Sequence, residues 1–120
     1  IRQVWVRIPP PLPLFRGSYM RYYPVDYENV RSHGIDAINR LSAQDHVKIF
    51  FSANSNNIPI NLHRKIVLSP AKVEFIGVES GTKNALDFQL ATYLGSLIAE
   101  NKVTGIEIYI VSKDKGFSCL

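Results

Sequence analysis

From residue 20 onward, apolar positions follow two spacings, one typical of buried strands and one typical of amphipathic helices. Apolar runs rich in aromatic and β-branched residues predict strands at 21–27, 46–53, 71–78 and 105–112. Apolar residues at helical spacing predict helices at 29–43, 58–69 and 81–102. The order β-α-β-α-β-α-β predicts right-handed crossovers, and hence a mainly parallel four-stranded sheet in a three-layer α/β/α fold.

The segment 81–102 carries the most regular helical pattern. Its apolar stripe predicts the face that packs on the sheet, which we expect to include Leu86, Leu90, Tyr93 and Leu97, with Ala91, Leu94 and Ile98 alongside. The helix predicted at 29–43 is weaker, because Gly34 lowers the helical propensity of its first turns.

The first 19 residues differ from the rest of the chain. They contain four of the seven prolines, so this segment should be extended or irregular. The string Arg16-Gly17-Ser18 shortly before Met20 also fits a vector-derived segment. We therefore divide the chain into 1–19, a proline-rich or vector-derived segment, and 20–120, the folded domain.

Composition sets broad limits on function. The chain has 120 residues, enough for one domain with one core, and a net charge of +4 that suits a phosphate-bearing partner. A single cysteine, Cys119, excludes an intramolecular disulfide and a cysteine-based zinc site. It fits a reducing compartment, and we expect a cytoplasmic protein. No apolar run approaches the roughly 20 residues that span a bilayer, so we expect no membrane partner.

Polar residues collect where the predicted strands end. Asp26 ends the first strand, Asp114 follows the last, and Asp87 lies in the first turns of the helix 81–102. Parallel strands bring their carboxyl ends to one edge of the sheet, so these three carboxylates should converge there. Asp87 is expected on the helix face that packs on the sheet, in line with Leu94. Clustered carboxylates repel one another, and a divalent cation such as Mg²⁺ or Mn²⁺ removes that repulsion. The chemistry indicated is metal-assisted hydrolysis of a phosphodiester.

Three motifs in this order resemble the PIN-like superfamily of metal-dependent ribonucleases, which includes the NYN-type domains. They are "VDYENV", "GTKNALDFQLATYLG" and "YIVSKDKGF". The resemblance covers residues 20–120. It implies that Asp26, Asp87 and Asp114 bind Mg²⁺ or Mn²⁺ and catalyse RNA cleavage, with Ser112, Gly116 and Phe117 completing the last motif.

Several further residues are candidates for the site, and each also has an ordinary structural explanation. Glu28 is either an additional metal ligand or a solvated acid, and Asn29 bonds within the site or caps the next helix. Ser112 and Ser52 either orient substrate or are plain loop hydroxyls. Basic side chains near the acids would contact RNA phosphates or would be simply solvated, and these are Lys83 and Lys113.

The chain departs from the family pattern at its end. Family members continue past the last motif with a further helix and strand, so we expect the last unit of the fold to be missing from 20–120. An uncovered sheet edge would favour self-association as a homo-oligomer. Three functions follow: a metal-dependent endoribonuclease that prefers single-stranded RNA, a non-catalytic RNA-binding or protein-interaction module, and a Rossmann-like small-ligand or phosphoacceptor domain. The family also contains toxins of toxin–antitoxin pairs.

Overall fold

All four predicted strands are present in the computed structural model of the protein, which describes residues 4–8, 20–79, 85–100 and 106–112. A strand near the start of the chain, which the sequence pattern did not predict, precedes them. In chain order the strands are β1 (Val4–Ile8), β2 (Met20–Asp26), β3 (Asp45–Ser52), β4 (Lys72–Val78) and β5 (Ile106–Ser112).

The strands form one sheet in the order β1-β5-β2-β3-β4. β5, β2, β3 and β4 run parallel, as predicted, and β1 pairs antiparallel with β5. The mainly parallel sheet is therefore confirmed, with five described strands instead of four. Because β1 covers the outer side of β5, the edges of the described sheet are β1 and β4.

Helices cover both faces of the sheet, which confirms the three-layer α/β/α fold. They are α1 (Tyr27–Val30), α2 (Ile60–Leu68) and α3 (Ala85–Glu100). The core on one face joins α1 and α2 to β2 and β3 through Val25, Val30, Ile49, Leu62 and Ile66. The core on the other face joins α3 to β3 and β5 through Phe50, Leu90, Leu94, Ile108 and Ile110. None of the helices in the described ranges is long and apolar enough to cross a membrane.

The continuous helix predicted at 29–43 is wrong. α1 ends after one turn at Val30, and the chain continues as two 3₁₀ turns, Arg31–Ile35 and Ile38–Arg40. Arg31, the residue that follows α1, has φ 54°, and this positive φ ends the α-helix there. The apolar residues of this segment still reach the core, because Ile35 and Ile38 are both buried.

The helix α3 packs on the sheet through a narrower stripe than the sequence predicts. Leu86, Leu90, Leu94 and Leu97 are buried, and Tyr93 is half-buried. The flanking positions Ala91 and Ile98 are exposed, contrary to the predicted face. Asp87, three residues before Leu90, therefore lies at the border of the buried stripe, and its side chain is partly exposed.

Two glycines allow a test of the packing around α1. A Cβ added at the buried Gly34 would lie 2.2 Å from Val30 Cγ2, whereas one added at Gly95 on α3 meets nothing within 4 Å. We expect Gly34→Ala to lower the free energy of unfolding by about 1–3 kcal/mol, because the added methyl group would force the fully buried Val30 to shift. Gly95→Ala should raise it by about 1 kcal/mol through helical propensity. Urea denaturation measures both, and a neutral Gly34→Ala would contradict the close contact.

Candidate active site at the carboxyl edge of the sheet

The centre of the candidate site forms where β2 and β5 end side by side. Val25 pairs with Val111 in the parallel ladder, so the next residues, Asp26 and Ser112, lie at the same level. Ser112 Oγ donates a hydrogen bond to Asp26 Oδ2 at 3.2 Å. Two residues that are 86 positions apart in the chain are thus joined by the register of the sheet.

Asp26 is fully buried, with 0% of its surface exposed. Asn29 donates to it twice, from Nδ2 to Oδ2 at 2.5 Å and from its backbone N–H to Oδ1 at 3.4 Å. The second bond caps the first turn of α1. These donors, like Ser112, are neutral, and among the described residues no lysine or arginine forms an ion pair with Asp26.

The electrostatic environment of Asp26 disfavours its charged form. Burial raises the pKa of its carboxyl above the ordinary value, and the hydrogen bonds from Asn29 and Ser112 oppose that shift. The nearby charge of Glu28 raises the pKa further. A cation at this edge would favour the ionised carboxylate, which is the electrostatic requirement expected of a metal ligand.

The structure describes two of the three remaining acids of the predicted site. Glu28 is half-buried in α1 and close enough for its charge to act on Asp26. Asp87 lies in the first turn of α3, and the crossover from β4 brings that turn to the carboxyl edge. Asp114 lies outside the described residues. Within the described ranges, no three His, Cys, Asp or Glu side chains are grouped closely enough to hold a metal ion.

The predicted substrate-binding residues also lie partly within and partly outside the described ranges. Lys83, Lys113, Gly116 and Phe117 lie outside the described residues. Ser52, at the end of β3, is buried and its hydroxyl accepts from the backbone N–H of Asn54 at 3.3 Å, as part of a cap on the turn Ala53–Ser55. The structure therefore gives the Ser52 hydroxyl a local structural contact.

A second buried aspartate, which the sequence analysis did not single out, lies at the opposite edge. Asp45 begins β3 and is 2% exposed. It accepts from Arg21 Nε at 2.5 Å and from the Ser42 backbone N–H at 2.6 Å. Burial alone would raise the pKa of Asp45, but the bonds from Arg21 and Ser42 outweigh it and hold that pKa below its ordinary value. The available signal in the sequence was a basic residue, Arg21, and an acidic residue, Asp45, at the amino ends of two strands, which the structure pairs side by side.

The architecture is that of a three-layer α/β/α domain whose candidate site lies at the carboxyl ends of parallel strands. A family model described as PIN domain matches residues 20–120, so the chain belongs to the PIN domain family. This confirms the family indicated by the three sequence motifs. Searches of curated proteins and of solved structures found no match. PIN domains are in general nuclease-like, use divalent metal ions and bind RNA.

The two buried aspartates should respond oppositely to neutralisation in a metal-free buffer with EDTA. Asp26→Asn should raise the free energy of unfolding at pH 7 by about 1 kcal/mol, because it removes the cost of burying a charged carboxylate. Stabilisation of this size is common when a functional residue is replaced. Because the folded-state pKa of Asp26 is raised, the gain should be full above that pKa and disappear as the pH falls to 3.8, the ordinary value.

Asp45→Asn should instead lower the free energy of unfolding at pH 7 by about 1.5–3 kcal/mol, because it removes a charged partner from Arg21. The folded-state pKa of Asp45 is lowered, so this loss should shrink as the pH falls from 3.8 through that pKa. Denaturant titrations between pH 3 and pH 8 measure both variants. Parallel pH profiles for the two variants would contradict the assignment of different roles.

Proposed function

We propose that the protein is a metal-dependent endoribonuclease that hydrolyses RNA phosphodiester bonds at the carboxyl edge of its sheet. The observation that carries this proposal is the fully buried Asp26, held by the neutral donors Asn29 and Ser112. Membership of the nuclease-like PIN domain family supports it. A cation would stabilise the ionised carboxylate in this setting. Capping α1 does not explain an aspartate here, because asparagine or serine could cap the helix as well.

The residues at this edge suit a magnesium or manganese ion. Carboxylate oxygens are the hard ligands that these ions prefer, and we assign Asp26, Asp87 and Asp114 as ligands, with Glu28 as an additional one. When bound, the ion supplies a Lewis acid for the hydrolysis of a phosphodiester. Asn29 and Ser112 fix the orientation of the Asp26 carboxylate by occupying both of its oxygens.

The proposed substrate is single-stranded RNA. The net charge of +4 favours association with a polyanion, and in this proposal Lys83 and Lys113 contact phosphates close to the acids. Contacts of this kind position the strand without reading its sequence. Binding should therefore weaken as the salt concentration rises.

Cleavage of a fluorescent single-stranded RNA tests the catalytic assignment. With Mn²⁺ or Mg²⁺ we expect cleavage that EDTA abolishes, and at least a ~100-fold lower rate in Asp26→Asn, Asp87→Asn and Asp114→Asn. The matched control is Asp36→Asn, since Asp36 is an exposed acid that lies between the two 3₁₀ turns and pairs with Lys65. Salt-sensitive RNA binding without cleavage would point to the non-catalytic alternative, and equal activity in Asp26→Asn would refute the site.

Thermal unfolding tests metal binding independently of activity. Excess Mn²⁺ at ~100 times its dissociation constant should stabilise the parent by about 2.7 kcal/mol, and this gain should be lost in Asp26→Asn. Ser112→Ala should retain binding but weaken the affinity for Mn²⁺ by roughly 10- to 100-fold, because it removes a bond that orients Asp26. Equal Mn²⁺ shifts in the parent, Asp26→Asn and Asp36→Asn would contradict the proposed ligand.

A further inference from the structure

A small cavity lies beside β3 and β4, one and two strands away from Asp26, on the face of the sheet that α1 and α2 cover. Its volume is about 130 Å³, and it is bounded by Ile49 and Phe51 of β3, by Phe75 at the middle of β4 and by the segment 55–58. The residues that matter for its chemistry are Tyr27, Phe51, Phe75, Ile58, Asn56 and Asn57. The cavity thus combines aromatic rings with two side-chain amides.

The aromatic surface of the cavity is held in place by the sheet. Phe75 lies on the edge strand β4 and is 48% exposed, although it is a large apolar side chain. Phe51 is half-buried on β3, and its ring lies over Gly77, where an added Cβ would be 3.1 Å from Phe51 Cζ. The glycine therefore leaves room for the Phe51 ring. Two phenyl rings are available to a flat ligand at this point.

The polar rim of the cavity is also anchored. Asn56 and Asn57 are exposed, and an amide side chain offers both a donor and an acceptor. The buried Tyr27 hydroxyl donates to the Asn57 carbonyl oxygen at 2.9 Å, and the cap formed by Ser52 and Ser55 fixes the preceding turn. A flat aromatic ligand with hydrogen-bonding groups on its edge matches this lining, and a nucleobase has that chemistry.

The cavity is within reach of a strand bound at Asp26. Asp26 pairs with Phe50 on β3, and Phe75 pairs with Ile49 on the same strand, so Phe75 lies two strands across from Asp26 and one residue lower. Because successive side chains of a strand alternate, Asp26 lies on the α3 face of the sheet with Phe50, and Phe75 lies on the opposite face with Ile49. Two strand spacings correspond to about 10 Å. Tyr27 connects the two places directly, because it follows Asp26 and lines the cavity. A strand that occupied both would pass over the carboxyl end of β3 from one face of the sheet to the other.

We infer that this cavity binds one unstacked nucleobase of the single-stranded RNA whose phosphodiester lies at Asp26, with the base between Phe51 and Phe75 and its edge against Asn56 and Asn57. This inference rests on the proposed ribonuclease function and adds a base-binding subsite to it. A subsite of this kind requires the base to leave a helical stack, which accounts for a preference for single strands.

The test compares variants of Phe75 in the RNA cleavage assay with Mn²⁺. Phe75→Ala and Phe75→Leu should each lower kcat/KM by roughly 5- to 100-fold, the range of base-stacking energies expressed as a rate ratio. Phe75→Leu keeps an apolar side chain on β4, so it separates lost stacking from lost packing. Phe75→Tyr keeps the ring and should retain activity. Leu68→Ala, an exposed apolar residue at the end of α2, is the matched control and should leave activity unchanged.

RNA substrates with a single abasic nucleotide locate the bound base. In the parent, one abasic position close to the cleavage point should slow cleavage, and the same substitution should cost Phe75→Leu little, because the ring has already been removed. Asn56→Ala should alter the preference among bases at that position. Additive losses from the abasic site and Phe75→Leu would overturn the inference.

The outcomes distinguish this inference from the proposed function. If the parent cleaves RNA and Phe75→Leu cleaves equally well, the base-binding subsite is wrong and the ribonuclease assignment stands. If the parent does not cleave with Mn²⁺, the ribonuclease assignment is wrong. Fluorescence anisotropy with labelled single-stranded RNA then decides the subsite, since weaker binding by Phe75→Leu supports it and equal binding overturns it.

Discussion

The buried carboxylate of Asp26 is the feature on which the candidate site depends. Burying an ionised carboxylate is costly unless its charge is compensated, and here the contacts in the described structure are neutral hydrogen bonds. Each donor is placed by the backbone: Asn29 by the first turn of α1, and Ser112 by the pairing of β5 with β2. The two hydrophobic cores, one on each face of the sheet, hold these elements together. The fold thus maintains a buried carboxylate that no described side chain neutralises.

Asp45 shows that the protein can bury an aspartate at little electrostatic cost. It lies in the same sheet at the amino edge, and Arg21 supplies the opposite charge from the neighbouring strand. Burial raises the pKa of both carboxyls, but among the described residues only Asp45 has a cationic partner. A buried acid with a cationic partner is accounted for by stability, whereas a buried acid whose partners among the described residues are all neutral is a candidate for a functional site.

The sequence predicts the four parallel strands and their common edge well, because burial on two sides produces apolar runs such as Ile49–Phe51. It predicts the segment 29–43 poorly, because two 3₁₀ turns bring Ile35 and Ile38 to the core just as a helix would. The positive φ of Arg31 does not change the spacing of apolar residues, so the pattern does not indicate it. The sequence does not predict β1, because the prolines that follow it indicate an extended or irregular segment. The cavity is not predictable either, since it depends on the strand register that brings Phe51 and Phe75 together.

The turn after β3 connects the two parts of the carboxyl edge. Ser52 and Ser55 cap this turn, and the Tyr27 hydroxyl bonds to Asn57 beyond it, so its polar groups are engaged in contacts within the fold. Tyr27 is in turn fixed by its position next to Asp26. A rigid connection of this kind keeps the distance between the carboxylate and the aromatic cavity constant. In the proposed ribonuclease, the cleaved bond would therefore lie at a fixed spacing from the bound base, set by the strand register together with this turn.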